Sequence, residues 1–361
     1  MTNDRVYNFS AGPSIMPESV LEKAKAELMN YGGSGTSVME MSHRSRTFKE
    51  IFSETKERMR RVMNIPQSHE ILFLQGGATL QFAAIPMNLM GTAGTADYAI
   101  TGNFSGKAAK EAQKYGNVHV AFDGKPGGFR SIPSQSELNL SKDASYFYYC
   151  ANNTIFGTEW NYVPETGCPI VCDMSSDILS RETDVSRFGL IYAGAQKNLA
   201  PAGLTVVILR KDLAGKQFPF TPQIMSYGEL IAGDSMVNTP PCWCIYMLGL
   251  TLEWIESMGG VAAMRELREE RSKIVYDYLD ESRLFIPHAD KQARSCMNVT
   301  FRTSSDELDA EFVREAEKKG LVNLKGHKLT GGLRASMYNA MPVEGAEELV
   351  KAMKEFERNH V

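Results

Sequence analysis

Leu190-Ile-Tyr-Ala-Gly-Ala-Gln-Lys197 is an apolar run that ends on a lysine. Leu190 to Ala193 suits a strand covered on both faces. A lysine ordinarily belongs to a charged, solvated face, yet the nearest charged residue on its N-terminal side is Arg187. Similar runs recur on both sides: Ile71 to Leu74, Asp97 to Thr101, Val118 to Phe122, Tyr146 to Cys150, Pro169 to Cys172 and Leu204 to Leu209. Helical patterns separate several of them. Thr79 to Leu89 reads as a helix interrupted at Pro86, and a Lys/Ala-rich helix runs through Lys114. Strands alternating with helices predict an α/β fold, with a mostly parallel seven-stranded sheet sandwiched by helices.

After about residue 245 the texture changes. Tyr246 to Met258 and Val261 to Leu279 read as long helices. A strand at Met297 to Arg302, a helix at Asp306 to Lys319, a strand at Leu333 to Tyr338 and a helix at Glu344 to Arg358 follow. The expectation is a large domain over residues 16–263 and a smaller C-terminal α+β domain over 264–361. The N-terminal segment 1–15 is expected to pack on the small domain.

Open α/β sheets bind ligands beyond the carboxyl ends of their strands, and three such ends carry chemistry. Gln75-Gly-Gly-Ala-Thr79 joins a strand to a helix. Its glycines let backbone amides approach an anion, and the helix start offers free N–H groups. No Gly-Lys-Ser/Thr follows, so it is not a nucleotide-binding P-loop. Asp173 comes straight after the second strand, Pro169 to Cys172; a carboxylate there needs a partner or a helix to cap. Gln196-Lys197 follow the third.

Together these residue types match the needs of pyridoxal phosphate. That cofactor takes a lysine amine, an anion beside its ring nitrogen and a cradle for its phosphate. Phe104, just past another strand end, offers a ring to stack on it. The same lysine, once freed, can move a proton as general acid/base.

Bulk properties exclude other classes. The chain has 361 residues and a net charge of -4, with 43% hydrophobic and 23% charged residues. That balance gives no pull toward nucleic acid or anionic membrane. No apolar run reaches spanning length, and the polar Met1-Thr-Asn-Asp-Arg5 start does not read as a signal peptide. The six cysteines lack zinc-site spacing and read as thiols of a reducing compartment, so no metal is expected and the cytoplasm is.

Longer runs carry a resemblance. Asn8-Phe-Ser-Ala-Gly-Pro13, Gly35-Thr-Ser-Val-Met-Glu40 with Ser42-His-Arg44, and Tyr192-Ala-Gly-Ala-Gln-Lys-Asn198 are three of them. Asn238-Thr-Pro-Pro241, Leu324-Lys-Gly-His327 and Gly331-Gly-Leu-Arg-Ala-Ser-Met-Tyr-Asn-Ala-Met-Pro342 complete the set. Nearly end to end, the chain resembles the phosphoserine aminotransferase family of fold-type I, class V pyridoxal-phosphate enzymes. The resemblance implies reversible amino transfer between phosphoserine and 2-oxoglutarate, giving 3-phosphohydroxypyruvate and glutamate, in serine biosynthesis. It raises 4-phosphohydroxy-L-threonine as a second substrate.

The resemblance also implies roles. Lys197 would hold the cofactor and Asp173 its ring nitrogen, with Thr154 near the ring hydroxyl. Gln196, Ala78 and Thr79 would contact its phosphate. Asn238 and Thr239 would reach that phosphate from a neighbouring subunit, which implies a homodimer with shared sites. His43, Arg44, His327, Lys328 and Arg334 would bind the substrate's phosphate and carboxylates, with Arg suited to bidentate contact.

Three positions depart from the family pattern. Phe104 stands where many members have Trp, Ala78-Thr79 where many have Gly-Arg, and Lys328 where Arg is common. Rival readings are an alanine–glyoxylate-type aminotransferase and a cysteine desulfurase. A desulfurase usually places His beside the lysine, where Gln196 stands here. A dinucleotide-binding dehydrogenase would rest on Gly32-Gly-Ser-Gly35, which lacks a third glycine and follows no apolar strand.

Overall fold

A computed structural model describes residues 5–92 and 94–361. Among them a seven-stranded sheet forms the centre. Its strands in chain order are β1 (His69–Leu74), β2 (Thr95–Ile100), β3 (Asn117–Asp123), β4 (Phe147–Cys150), β5 (Ile170–Asp173), β6 (Leu190–Gly194) and β7 (Thr205–Arg210). Their spatial order is β1-β7-β6-β5-β4-β2-β3. Only β7 runs against its neighbours, pairing antiparallel with both β6 and β1. The link from Ala195 to Leu204 is too short for the crossover that a parallel return requires.

The helices of the large unit include α1 (Glu18–Glu27), α2 (Arg46–Val62), α3 (Gly77–Leu89), α4 (Asn103–Ala112) and α5 (Cys242–Ser257). One core lies between the sheet and α2 and α5, and a second between the sheet's other face and α3 and α4. The helix α3 continues through Pro86, against the interruption expected from sequence. Proline removes one N–H and ordinarily kinks a helix. Here Phe82, Ala84, Ile85 and Pro86 are all buried, so packing outweighs the lost bond.

The C-terminal part has its own core. It holds a three-stranded sheet of β8 (Ile286–Pro287), β9 (Asn298–Arg302) and β10 (Leu333–Ser336). The helices α7 (Asp306–Lys318) and α8 (Val343–His360) cover it. The long helix α6 (Gly260–Glu281) joins the units: Val261 and Met264 lie in the large core, Val275 and Leu279 in the small one. Tyr7–Asn8 pairs in parallel with Leu321–Val322, and Phe9 and Ile15 are buried in the small core. Residues 1–4 of the N-terminal segment lie outside the described residues.

A buried ion network fastens α6 to the large unit. Arg268 donates to Glu159 at 2.5 Å and to Ser180 at 2.8 Å, and both charged residues are about 5% exposed or less. Burial opposes the Arg268 charge, but the Glu159 carboxylate beside it outweighs that and holds the guanidinium ionised. Arg268→Ala would leave Glu159 with Arg181 at 3.4 Å as its cation and the Cys296 amide at 3.0 Å among the described residues. Uncovering one partner of a buried pair costs about 3 kcal/mol. The urea unfolding midpoint of the variant is therefore expected to fall clearly; an unchanged midpoint would show that Arg181 replaces it.

Candidate active site

Several of the residues singled out from sequence, among them Thr79, Phe104, Thr154, Asp173 and Lys197, lie at the carboxyl edge of the central sheet. After β1 the chain turns at Gly76, with φ 90°, and enters α3. A side chain there would collide with Leu80, so the turn needs glycine both for its backbone angle and for its space. Ala78 lies in the first turn of α3, half-buried, and Thr79 is exposed beside it. The amides of that first turn have no partner inside the helix, as an anion cradle requires.

After β2, Gly102 precedes α4, and Phe104 sits in its first turn. A Cβ on Gly102 would fall 2.5 Å from Asn153 Oδ1, so the glycine lets α4 start against the turn after β4. Asn153 donates to Thr101 and Thr158. That turn carries Thr154, which is 4% exposed.

Asp173 is the last residue of β5 and is 5% exposed. Its Oδ1 accepts the Ser175 amide at 2.9 Å, and its Oδ2 accepts the Tyr192 hydroxyl at 3.0 Å. One strand further, Gln196 and Lys197 follow β6. The Lys197 ammonium lies 5.7 Å from the centre of the Phe104 ring. Cys150, at the end of β4, ties these groups together: burial and the Asp173 charge push its thiol up, while Lys197 pulls it down. Asp173 and Lys197 thus act on one buried point.

The N-terminal segment clamps the lysine loop. The Ser14 amide donates to the Gln196 carbonyl at 3.0 Å, and its hydroxyl to the Lys197 carbonyl at 2.5 Å. Gly12, at φ 128°, passes so close that a Cβ would lie 3.2 Å from Lys197 Cγ. Behind the lysine, Asn198 Oδ1 accepts the Asn339 amide at 3.0 Å, and the two asparagines bond to the Ile178 and Leu179 carbonyls. Both units therefore hold the lysine's backbone.

From the small unit, Arg334 on β10 reaches across and donates to the Thr154 carbonyl at 3.3 Å. Burial lowers its proton affinity, which the Tyr338 hydroxyl partly offsets. His327 is half-buried; burial, then Arg334, Lys328 and Lys107, push its pKa below the usual histidine value. Its Nδ1 accepts the Leu329 amide at 3.2 Å, which leaves the proton on Nε2. With its proton on Nε2, His327 offers an N–H donor to an anion. Lys328 is exposed at the mouth of a 560 Å³ cavity lined also by Asp306, Lys325 and His327.

Lys107 is a cation that sequence reading passed over. It follows Phe104 by three positions on α4, and its ammonium lies 5.7 Å from the same ring centre as Lys197. An i, i+3 pairing on a helix was the available signal. No carboxylate among the described residues pairs with it in a salt bridge.

Other expected residues stand apart within one chain. Asn238 and Thr239 are exposed, and Asn238 donates to Gln75 Oε1 at 2.6 Å, beside the Gly76 turn. His43 and Arg44 precede α2, half-buried and exposed respectively. No hydrogen bond or ion pair among the described residues joins them to Lys197, Asp173 or Arg334.

Residues 6–349 match the family model for class-V aminotransferases. A phosphoserine aminotransferase from Bacillus cereus is 50% identical over 98% of this chain and 99% of its own. The chain belongs to the phosphoserine aminotransferase family. A solved phosphoserine aminotransferase from Bacillus circulans subsp. alkalophilus is 43% identical, with a TM-score of 0.98 over 99% of this chain and 100% of that one. A PLP-bound phosphoserine aminotransferase structure from Trichomonas vaginalis is 41% identical, with a TM-score of 0.93 over 97% of this chain and 100% of that one.

Pyridoxal phosphate is the cofactor of this family, and the residues of this phosphoserine aminotransferase fold fit it. A buried carboxylate, a lysine and an aromatic ring follow strands at the same sheet edge at which β1 ends in a glycine turn and a helix start. A Cβ at Gly76 would strike Leu80, so the turn stays bare backbone where α3 begins, and the amides of that helix start are the donors a phosphate needs.

Proposed function

We propose that this chain catalyses reversible amino transfer between L-phosphoserine and 2-oxoglutarate, giving 3-phosphohydroxypyruvate and L-glutamate in serine biosynthesis. The observation that carries the reading is the meeting of Lys197, Asp173 and Phe104 at one strand edge, with Arg334 and Lys107 around it. Pyridoxal phosphate, when bound, supplies a ring that takes up the electron pair released as the substrate's Cα proton leaves.

In this reading Lys197 holds the cofactor between turnovers. Its freed Nζ then takes the proton from the substrate's Cα and returns it later in the cycle. Asp173 keeps the ring nitrogen protonated, and Phe104 covers one ring face. Thr154 lies by the ring hydroxyl, while Gln196, Ala78 and Thr79 receive the phosphate. Asn238 and Thr239 serve the neighbouring subunit's phosphate in a homodimer with shared sites.

Arg334 takes a carboxylate with its two-pronged guanidinium. His43, Arg44, His327 and Lys328 take the distal anion, to which Lys107 adds charge. Phosphoserine and glutamate both carry an anion beyond the α-carboxylate, so one set of donors serves both. We place the chain in the cytoplasm: among the described residues all six cysteines are free thiols, and no helix is long and apolar enough to cross a membrane. We set the boundary between units at residues 263 and 264, inside α6, and count residues 5–15 of the N-terminal segment with the small unit.

An amino-transfer assay on phosphoserine, serine and alanine, with 2-oxoglutarate as acceptor, tests the reading. Loss of a buried charge-assisted contact is worth about 1.5–3 kcal/mol, so serine should react at least about tenfold less efficiently than phosphoserine. Equal efficiency on serine and phosphoserine would overturn the distal-anion role. Preference for alanine would favour the alanine–glyoxylate-type reading. The same assay extends to 4-phosphohydroxy-L-threonine, which carries the same distal group.

A further inference from the structure

Asp173 lies directly opposite Tyr192 in the β5–β6 register and opposite Cys150 in the β4–β5 register. Paired residues on neighbouring strands project to the same face. Tyr148, two residues before Cys150, shares that face. The Tyr192 hydroxyl lies 3.0 Å from Asp173 Oδ2, and the Tyr148 hydroxyl 2.8 Å from that of Tyr192. Both tyrosines are fully buried, and the Tyr148 ring stacks on Tyr98 with centroids 4.8 Å apart.

We propose that Tyr192, oriented by Tyr148, is a positioning residue that fixes and polarises the Asp173 carboxylate toward the cofactor ring. This rests on the reading that Asp173 faces the ring nitrogen. The direction of each bond follows from proton counting. Burial, then the Asp173 charge, keeps the Tyr192 hydroxyl protonated, and the same two causes act on Tyr148. A carboxylate only accepts, so Tyr192 gives its single proton to Asp173. Tyr148 must then donate to the Tyr192 oxygen. A donor that itself receives a hydrogen bond is strengthened by it.

The other Asp173 oxygen accepts only the Ser175 amide among the hydrogen bonds of the described residues. Tyr192 therefore supplies one of two restraints on the carboxylate. Apolar packing would need neither hydroxyl, since phenylalanine fills nearly the same space without a buried polar group to satisfy. A purely structural role for the pair would change stability and leave cofactor chemistry alone.

The test compares Tyr192→Phe, Tyr148→Phe and the double variant with the wild-type holoenzyme. Cofactor affinity is measured by titrating resolved protein with pyridoxal phosphate, and the visible band is followed against pH. Tyr192→Phe should weaken affinity about tenfold, the effect of removing a hydrogen bond to a charged group. It should also shift the spectral titration by about half a pH unit or more. Tyr148→Phe should give a smaller change of the same sign. The double variant should match Tyr192→Phe, because Tyr148 acts only through Tyr192.

Wild-type affinity and an unmoved titration in Tyr192→Phe would overturn the proposal, as would additive effects in the double variant. Should Tyr192→Phe fail to fold, Tyr148→Phe alone decides: an unmoved affinity and titration would overturn it. A wild-type protein that fails to bind the cofactor would instead overturn the reading of the site.

Discussion

Lys197→Ala is expected to reduce amino transfer by more than about 10⁴-fold, the combined loss of the covalent anchor and of the proton carrier. Borohydride reduction should leave cofactor on a Lys197-containing peptide of the wild-type chain, and on no peptide of the variant. The variant should still fold. Lys197 fastens the N-terminal segment through its carbonyl, which Ser14 reaches at 2.5 Å, and that contact survives the loss of the side chain. Asn198 and its bonds to Ile178 and Asn339 are likewise untouched. A melting temperature near wild type would therefore accompany lost turnover. Turnover and a covalently held cofactor retained in the variant would remove Lys197 from both roles.

Asp173→Asn is the second large effect. Asparagine keeps the shape and an acceptor oxygen for the Ser175 amide or the Tyr192 hydroxyl, so packing at the end of β5 should persist. What disappears is the negative charge beside the ring nitrogen. Removing a preorganised electrostatic contact in a buried site commonly costs 10²–10³-fold, and turnover should fall by about 10³-fold here. Steady-state kinetics should place the loss mainly in kcat, because the charge matters most as the Cα proton leaves. A fall confined to cofactor affinity, reversed by excess pyridoxal phosphate, would make Asp173 an anchor only. Tyr192→Phe, which keeps the charge but removes a donor to it, should fall between this variant and the wild type.

Much of this arrangement was legible locally. The strand ends at Leu74, Cys172 and Ala193 follow from apolar runs a few residues long; the structure keeps the first and moves the other two to Asp173 and Gly194. Gly76 declares itself because only glycine suits a left-handed angle under Leu80. Lys197 declares itself because its surroundings lack charge. The Pro86 expectation failed for the opposite reason. Propensity places a break there, while burial of the neighbouring side chains, which no local pattern measures, keeps the helix whole.

His327 marks a different boundary. The resemblance marked it as an anion binder, yet its proton affinity is lowered by burial and by Arg334, Lys328 and Lys107. Lys107 itself stood in a pattern that reads as a solvated helix face. Only its approach to the Phe104 ring distinguishes it.

The sequence by itself determined the lysine at a strand exit, the carboxylate at another and the glycine turn at a third, because each depends on neighbours close in the chain. Its longer runs determined the family. Tertiary structure alone decided what surrounds Lys197. Ser14 meets it across 183 positions, and Arg334 meets Thr154 across 180. Tyr148 and Tyr192 line up behind Asp173 only because β4, β5 and β6 lie side by side in one register. Such contacts arise from sheet order and domain packing, which the spacing of residues along a chain does not encode locally.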